Sequence, residues 1–159
     1  GNPSVPEDEK AVLWLINHVF NSIDVPLVVA GKDPSAGFVQ TIQTHKNIRL
    51  VSNPTDDELH KLLANAQCHV LPSANVTGVK LKLIHALYKG RHCIVNRAAV
   101  EGSSLEHLCH LADGDAFQEK VRELFAVPVT EDLMDYRRAE LARLFDTKKL
   151  AAELIQWIW

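Results

Sequence analysis

The feature that most constrains this chain is a succession of short, mostly apolar runs: "LVVA" at 27–30, "IRLV" at 48–51, "CHVL" at 68–71 and "HCIV" at 92–95. Each is too short for a stable helix, and β-branched residues recur in them, as strands require. The intervals between them exceed a hairpin turn and carry helical spacing, so neighbouring strands are joined by crossovers and run parallel. Near-continuous apolar strands of this kind are buried on both faces, which places helices above and below the sheet.

The segments between and around the strands fit that plan. Asp8 to Phe20 gathers Ala11, Val12, Leu15, Ile16, Val19 and Phe20 on one helical face, with acidic residues in the first turn opposing the helix dipole. The stretch "VPLVVAGKDPS" reads as a strand closed by a turn at Gly31 and Asp33-Pro34. Strand Ile48 to Ser52 leads to a cap at Thr55 with Glu58 three residues on, a helix to about Asn65, and strand Cys68 to Leu71. A helix over about Val79 to Lys89 ends at Gly90, and a strand follows over His92 to Asn96. A further short strand is expected over His107 to Ala112, then helices over Asp115 to Phe125, Glu131 to Phe145 and Thr147 to Trp159. The expected fold is α/β: a doubly wound, Rossmann-like parallel sheet flanked by helices, ending in helices. Ligands of such sheets lie outside the carboxyl ends of the strands, which singles out the loops Gly31 to Ser35, Ser52 to Thr55, Ser73 to Val79 and Asn96 to Ser104.

Composition narrows the partners. A formal charge of −3 over 159 residues lacks the basic excess that nucleic acid or anionic lipid demands. No apolar run approaches the ~20 residues of a membrane span, and three widely spaced cysteines read as reduced thiols of a cytoplasmic protein. Residues 1–159 make one domain, with a helical extension from about 131 to 159. The abrupt opening "GNPS" suggests a piece of a longer protein.

The stretch "LPSANVTGVKLK" runs from a buried strand through small polar residues into a helix N-terminus. Free N–H groups and the positive dipole end favour an anion there, and Thr77 and Gly78 permit close approach. Lys80 and Lys82 add positive charge where the helix disfavours it, as a phosphate or diphosphate site would; a solvated lysine face accounts for the pattern as well. Gly31 and Lys32 form a Gly-Lys pair at a strand end, which an ordinary turn also explains. Neither a Gly-x-Gly-x-x-Gly after the first strand nor a P-loop is present.

Taken in order and spacing, "VPLVVAGKDPS", "NIRLVSNPTDDELHKLLANAQCHVLPS" and "TGVKLKLIHALYKGRHCIVNRAAVEG" resemble the carboxy-terminal, donor-binding domain of group-one (family 4-like) glycosyltransferases with the two-domain GT-B fold. The resemblance covers about residues 7 to 125. It implies a nucleotide-diphosphate sugar as donor substrate, such as a UDP-, GDP- or ADP-sugar, with no further cofactor. The diphosphate would lie near Thr77, Gly78, Val79, Lys80 and Lys82, and the base near Ser52, Asn53 and Pro54. It also implies hexosyl transfer with retention, an amino-terminal acceptor domain elsewhere in the same protein, peripheral membrane contact only through that other half, and an isolated domain that does not turn over. Family members carry two glutamates eight residues apart on this loop and helix. Here Thr77 and His85 take those positions, which leaves His85 to meet the ribose or a phosphate through a ring nitrogen. The family also begins this domain with a strand that would lie just before Gly1.

Other constellations weigh less. Cys68-His69, His92-Cys93 and Cys109-His110 are thiol–imidazole pairs on expected strands, whose neighbours point to opposite faces, a poor geometry for one zinc site. "MDYRRAELAR", Met134 to Arg143, reads as a solvated helix face, and Trp157 and Trp159 as packing against this domain or another. The loss of both glutamates keeps open a degenerate module that retains the fold without nucleotide affinity. An epimerase or phosphorylase of the same architecture is the third alternative.

Overall fold

The computed structural model describes residues 6–76 and 80–146. Among them helices and strands alternate as α1 (Pro6–His18), β1 (Leu27–Gly31), α2 (Ala36–Gln43), β2 (Ile48–Ser52), α3 (Asp56–Asn65), β3 (Cys68–Val70), α4 (Leu81–Lys89), β4 (His92–Val95), α5 (Arg97–Val100), β5 (His110–Leu111), α6 (Ala116–Phe125) and α7 (Glu131–Leu144). Every strand pairing is parallel. The α/β expectation therefore holds, and β4 shows why. All four of its residues are buried, and their period of two sends Ile94 into one core and Cys93 and Val95 into the other.

The first core joins α1, α2 and α6 through Leu15, Ile16, Phe38, Ile42, Phe117 and Val121. The second joins α4, α5 and α7 through Leu83, Leu87, Val100 and Leu141. Helices thus cover both faces.

The ladder comes in two pieces among the described residues: β1 pairs with β2, and β3, β4 and β5 pair in that order. Between the pieces lies a cavity of ≈ 290 Å³ walled by Leu27 and Val28 on one side and by Cys68 and Val70 on the other. Local signals behaved as their chemistry demands. Thr55 and Glu58 form a reciprocal capping box at the start of α3. Ser35 caps α2, in the interval that the sequence reading gives to a helix without bounds, by accepting from the Phe38 N–H.

Three differences have physical causes. The strand expected over His107 to Ala112 is reduced to β5, because Glu106–Leu108 closes a 3-10 turn first. The helix expected from Val79 starts at Leu81, with Val79 outside the described residues. The solvated face expected over Met134 to Arg143 holds for Arg138 and Arg143, which pair with Asp135 and Glu140. It does not hold for Arg137, which is buried and donates to the carbonyls of Gly90 and Arg91. A guanidinium set at the carboxyl end of α4 meets the negative end of that helix dipole, and so fastens α7 to α4. The helix expected over Thr147 to Trp159, including Trp157 and Trp159, lies outside the described residues. No helix among the described residues is long and apolar enough to cross a membrane.

Candidate functional site

The N-terminal turn of α1 stands over the carboxyl ends of the strands, where two polar side chains tie it to the loops on either side. Asp8 forms an ion pair with Lys82 of α4 at 2.6 Å. Glu9 accepts from the Ser35 hydroxyl at 3.0 Å. The acidic residues Asp8 and Glu9 therefore do more than oppose the dipole of their own helix; they tie α1 to the loops of both pieces of the sheet.

A cleft runs between this turn and the loop after β3, in two adjoining compartments that share Glu7, Ala11, Pro72, Ser73 and Ala74. The first, of ≈ 390 Å³, is bounded by Asn75, Val76, Lys80 and Lys82. The second, of ≈ 510 Å³, reaches between α1 and α6 to Lys10, Trp14, Asn96, Asp113 and Phe117. The loop is held by a reciprocal pair: the Ser73 N–H donates to Asn96 Oδ1 at 2.9 Å, and Asn96 Nδ2 donates to the Ser73 carbonyl at 2.7 Å. Asn96 thereby couples the exits of β3 and β4.

Of the residues that the sequence marks, Lys80 and Lys82 meet in the first compartment. Lys80 is the N-cap residue of α4, and no side chain caps that helix. Lys82 has an internal counter-charge in Asp8, so the positive charge at this helix start is answered in part by the protein itself. His85 is exposed on α4 and does not line the cleft. Thr77, Gly78 and Val79 lie outside the described residues.

The other marked residues gather at the ends of β1 and β2. Asn53 adopts φ +50 and Asp33 φ +48, the left-handed region that asparagine and aspartate tolerate best. The Asn53 N–H donates to the Gly31 carbonyl at 2.8 Å, and the Asp33 N–H to Asn53 Oδ1 at 2.9 Å. Gly31 and Pro54 are buried, while Lys32, Ser52 and Asn53 are exposed. This loop pair is a separate lip that lines neither compartment.

Sequence reasoning missed Glu7, Lys10, Trp14 and Asp113. Three sit on α1, whose residues read as core or cap, and no local motif marks a helix whose start is brought to the strand ends by the fold alone. The thiol–imidazole pairs lie away from the cleft. His92 Nε2 donates to the Val127 carbonyl at 2.8 Å, so its Nδ1 accepts from His110 Nε2 at 3.2 Å. Gln67 Nε2 donates to that same carbonyl, which staples the segment between α6 and α7 to the sheet. The Cys109 thiol and burial push the Cys93 thiol up, and burial raises Cys68 to about 11, which makes both unreactive hydrophobes.

Comparison with known proteins gives these features a family. Residues 3–126 match the family described as glycosyl transferases group 1. A Klebsiella pneumoniae protein described as an uncharacterized 44.6 kDa protein in the cps region is 24% identical over 117 residues, spanning 67% of this chain and 30% of its own length. An alpha,alpha-trehalose 6-phosphate synthase structure from Burkholderia multivorans superposes with a TM-score of 0.55 and 13% identity, over 93% of this chain and 40% of that one. AviGT4, a glycosyltransferase involved in avilamycin A biosynthesis, superposes with a TM-score of 0.55 and 18% identity, over 83% of this chain and 42% of that one. The chain thus spans less than half the length of each, and its fold is that of the carboxy-terminal half of a GT-B glycosyltransferase. By the family match across most of its length, the chain belongs to the group 1 glycosyl transferases.

Proposed function

We propose that this chain is the donor-binding half of a glycosyltransferase that moves a hexosyl group, with retention, from a nucleoside diphosphate sugar to a separate acceptor. One observation carries the reading: Lys80 and Lys82 line a compartment at the carboxyl ends of the strands, at the uncapped start of α4. Such a helix start attracts anions, and two ammonium groups add to it. Negative charge grows on the diphosphate as the sugar departs. Fixed cationic groups at that point stabilise the transition state more than the ground state. Asp8 competes with the ligand for Lys82, so donor binding breaks or bridges that ion pair. Thr77, Gly78 and Val79 belong to the proposed diphosphate site by resemblance, Ser52, Asn53 and Pro54 to the base-binding lip, and Gly31 and Lys32 beside them to the donor site.

A thermal-shift titration with UDP, GDP, ADP, CMP and inorganic diphosphate tests this. At ~100 times Kd, a ligand stabilises by about 2.7 kcal/mol. That is a shift of several degrees at roughly 2–4 °C per kcal/mol for a domain of this size. One nucleoside diphosphate should raise Tm, and Lys80→Ala should abolish the rise. No rise with any of them, in this chain or in the longer protein, sinks the reading.

A second reading, a domain that keeps the fold without nucleotide affinity, is favoured by one observation. His85, at the second family glutamate position, is exposed and does not line the cleft. The same titration decides between them.

A further inference from the structure

Two of the three cysteines meet across the sheet. Ile94 of β4 pairs with His110 of β5, so the residues one step earlier, Cys93 and Cys109, stand side by side on adjoining parallel strands. Cys109 has extended backbone, with φ −119 and ψ 159, and continues the line of β5 backwards. Cys93 belongs to the second core and Cys109 packs against that core, so both thiols face the same side of the sheet and meet there. Neighbouring strands run roughly 4.8 Å apart, inside the ~4.4–6.8 Å between Cα atoms that a disulfide spans. Cys68 packs against the first core, on the opposite face.

The two thiols differ in access. Cys93 is fully buried and inert toward anything in solvent, while Cys109 is half-buried and open to a small reagent. Beside them lies a cation without a counter-ion. Arg137 is 2% exposed, belongs to none of the ion pairs among the described residues, and has no acceptor for its Nε–H. Its terminal nitrogens are spent on the Gly90 and Arg91 carbonyls, and its charge acts on both sulfurs. A buried donor left over in this way calls for a role. Next to sulfur, a fixed positive charge favours the anionic form that attacks oxidants.

We infer that Cys93 and Cys109 are a modification site for hydroperoxides, which close the pair to a disulfide through Cys109, with Arg137 as a positioning residue. The Cys109 sulfur attacks one oxygen of the hydroperoxide and the O–O bond breaks. Cys109 becomes a sulfenic acid, and the other oxygen leaves as an alcohol or water with the Cys109 proton. Cys93 Sγ then attacks Cys109 Sγ, the S–O bond breaks, and the hydroxyl leaves as water with the Cys93 proton. Two thiols are oxidised and one peroxide is reduced.

The test treats the folded, reduced chain with a small excess of hydrogen peroxide and reads intact mass and tryptic peptides without reductant. Cleavage after Arg91, Arg97 and Lys120 puts Cys93 on peptide 92–97 and Cys109 on peptide 98–120. The expected result is a mass lower by two hydrogens, these two peptides linked, and their separation by dithiothreitol. Cys68→Ser should change none of this. Cys93→Ser should leave a sulfenic acid on Cys109 that dimedone captures, and Cys109→Ser should leave Cys93 unmodified. In samples whose urea midpoints show them folded, Arg137→Gln should slow dimedone capture in the Cys93→Ser chain about tenfold, and Arg137→Lys, which keeps the charge, should restore it.

Absence of the linked peptides overturns the inference, as does a link that involves Cys68. Cys109 carried on to a sulfinic acid while Cys93 stays free would overturn it too, since the thiols would then stand too far apart to join. Oxidation of Cys93 in Cys109→Ser would reverse the order of attack and overturn Cys109 as the entry point. Capture at an equal rate in Arg137→Gln would overturn the part given to Arg137.

Discussion

At the scale of single residues, Gly90 leaves no room for a side chain. Its φ of −92 is ordinary, so the glycine is required by close approach rather than by backbone freedom. A β-carbon there would stand 2.1 Å from His69 Nε2 and 2.6 Å from the Ala86 carbonyl oxygen. The imidazole cannot easily retreat, because Nε2 donates to the Leu63 carbonyl at 3.0 Å and the ring is buried. The Gly90 carbonyl meanwhile accepts from Arg137 at 2.7 Å. Gly90→Ala is therefore expected to cost about 1–3 kcal/mol, the range for overpacking, lowering Tm by several degrees in a thermal melt. An unchanged Tm would show that His69 rearranges freely. Gly90 reads in the sequence only as a helix stop. The guanidinium that completes the arrangement lies 46 positions past Arg91, where sequence pattern assigns it to solvent.

At the scale of elements, the capping box of α3 and the buried run of β4 were legible because each rests on neighbours in the chain. The break between β1 and β3 was expected only through the family resemblance, which places a strand before Gly1 and so a gap in the sheet. In β1, Leu27 and Gly31 bond toward β2, so Val28 points its backbone groups away; in β3, Leu71 bonds toward β4, so Cys68 and Val70 point theirs into the cavity. Amide hydrogen exchange should show it. The N–H groups of Val28, Cys68 and Val70 are expected to exchange faster than that of Ile94, which lies in the middle of the three-stranded piece. If a further strand of the longer protein pairs with these edges, as the family resemblance implies, the same three amides become protected in that protein. Equal protection in both forms would mean that the edges are already closed.

At the scale of the whole molecule, buried histidines set the response to acid. Burial holds His69 below its usual pKa, and burial with the neighbouring His92 does the same for His110. The unfolded chain therefore binds more protons than the folded one once pH falls below about 6.5, the unperturbed histidine value. Stability should be flat above that point and fall as pH drops through the window between 6.5 and the lowered folded values, by at most about 1.4 kcal/mol per pH unit for each proton. The carboxylates of Glu58, Glu123 and Glu140 have lowered pKa values from hydrogen bonds with Thr55, Lys120 and Arg143, and act only nearer and below the usual carboxylate range. Urea midpoints at pH 7.5, 6.5 and 5.5 would check this, with His110→Gln expected to flatten the decline. A midpoint that rises on acidification would contradict the burial of both rings.

Fold class, element order and the cationic helix start at Lys80 and Lys82 were readable along the chain. These follow from periodicity, capping and charge along a contiguous stretch, and the family likeness lies in the same stretches. What faces them came from the packing of distant elements. It brought the first turn of α1 over the strand ends, gave Lys82 a partner in Asp8, and set Trp14 and Glu7 opposite Asn96 and Asp113. It left His85 outside the cleft, and it buried Arg137. The physical reason is common to all of these. Each joins residues from elements far apart in the chain, whose approach is set by how two cores pack against one sheet, and no short-range pattern carries that information.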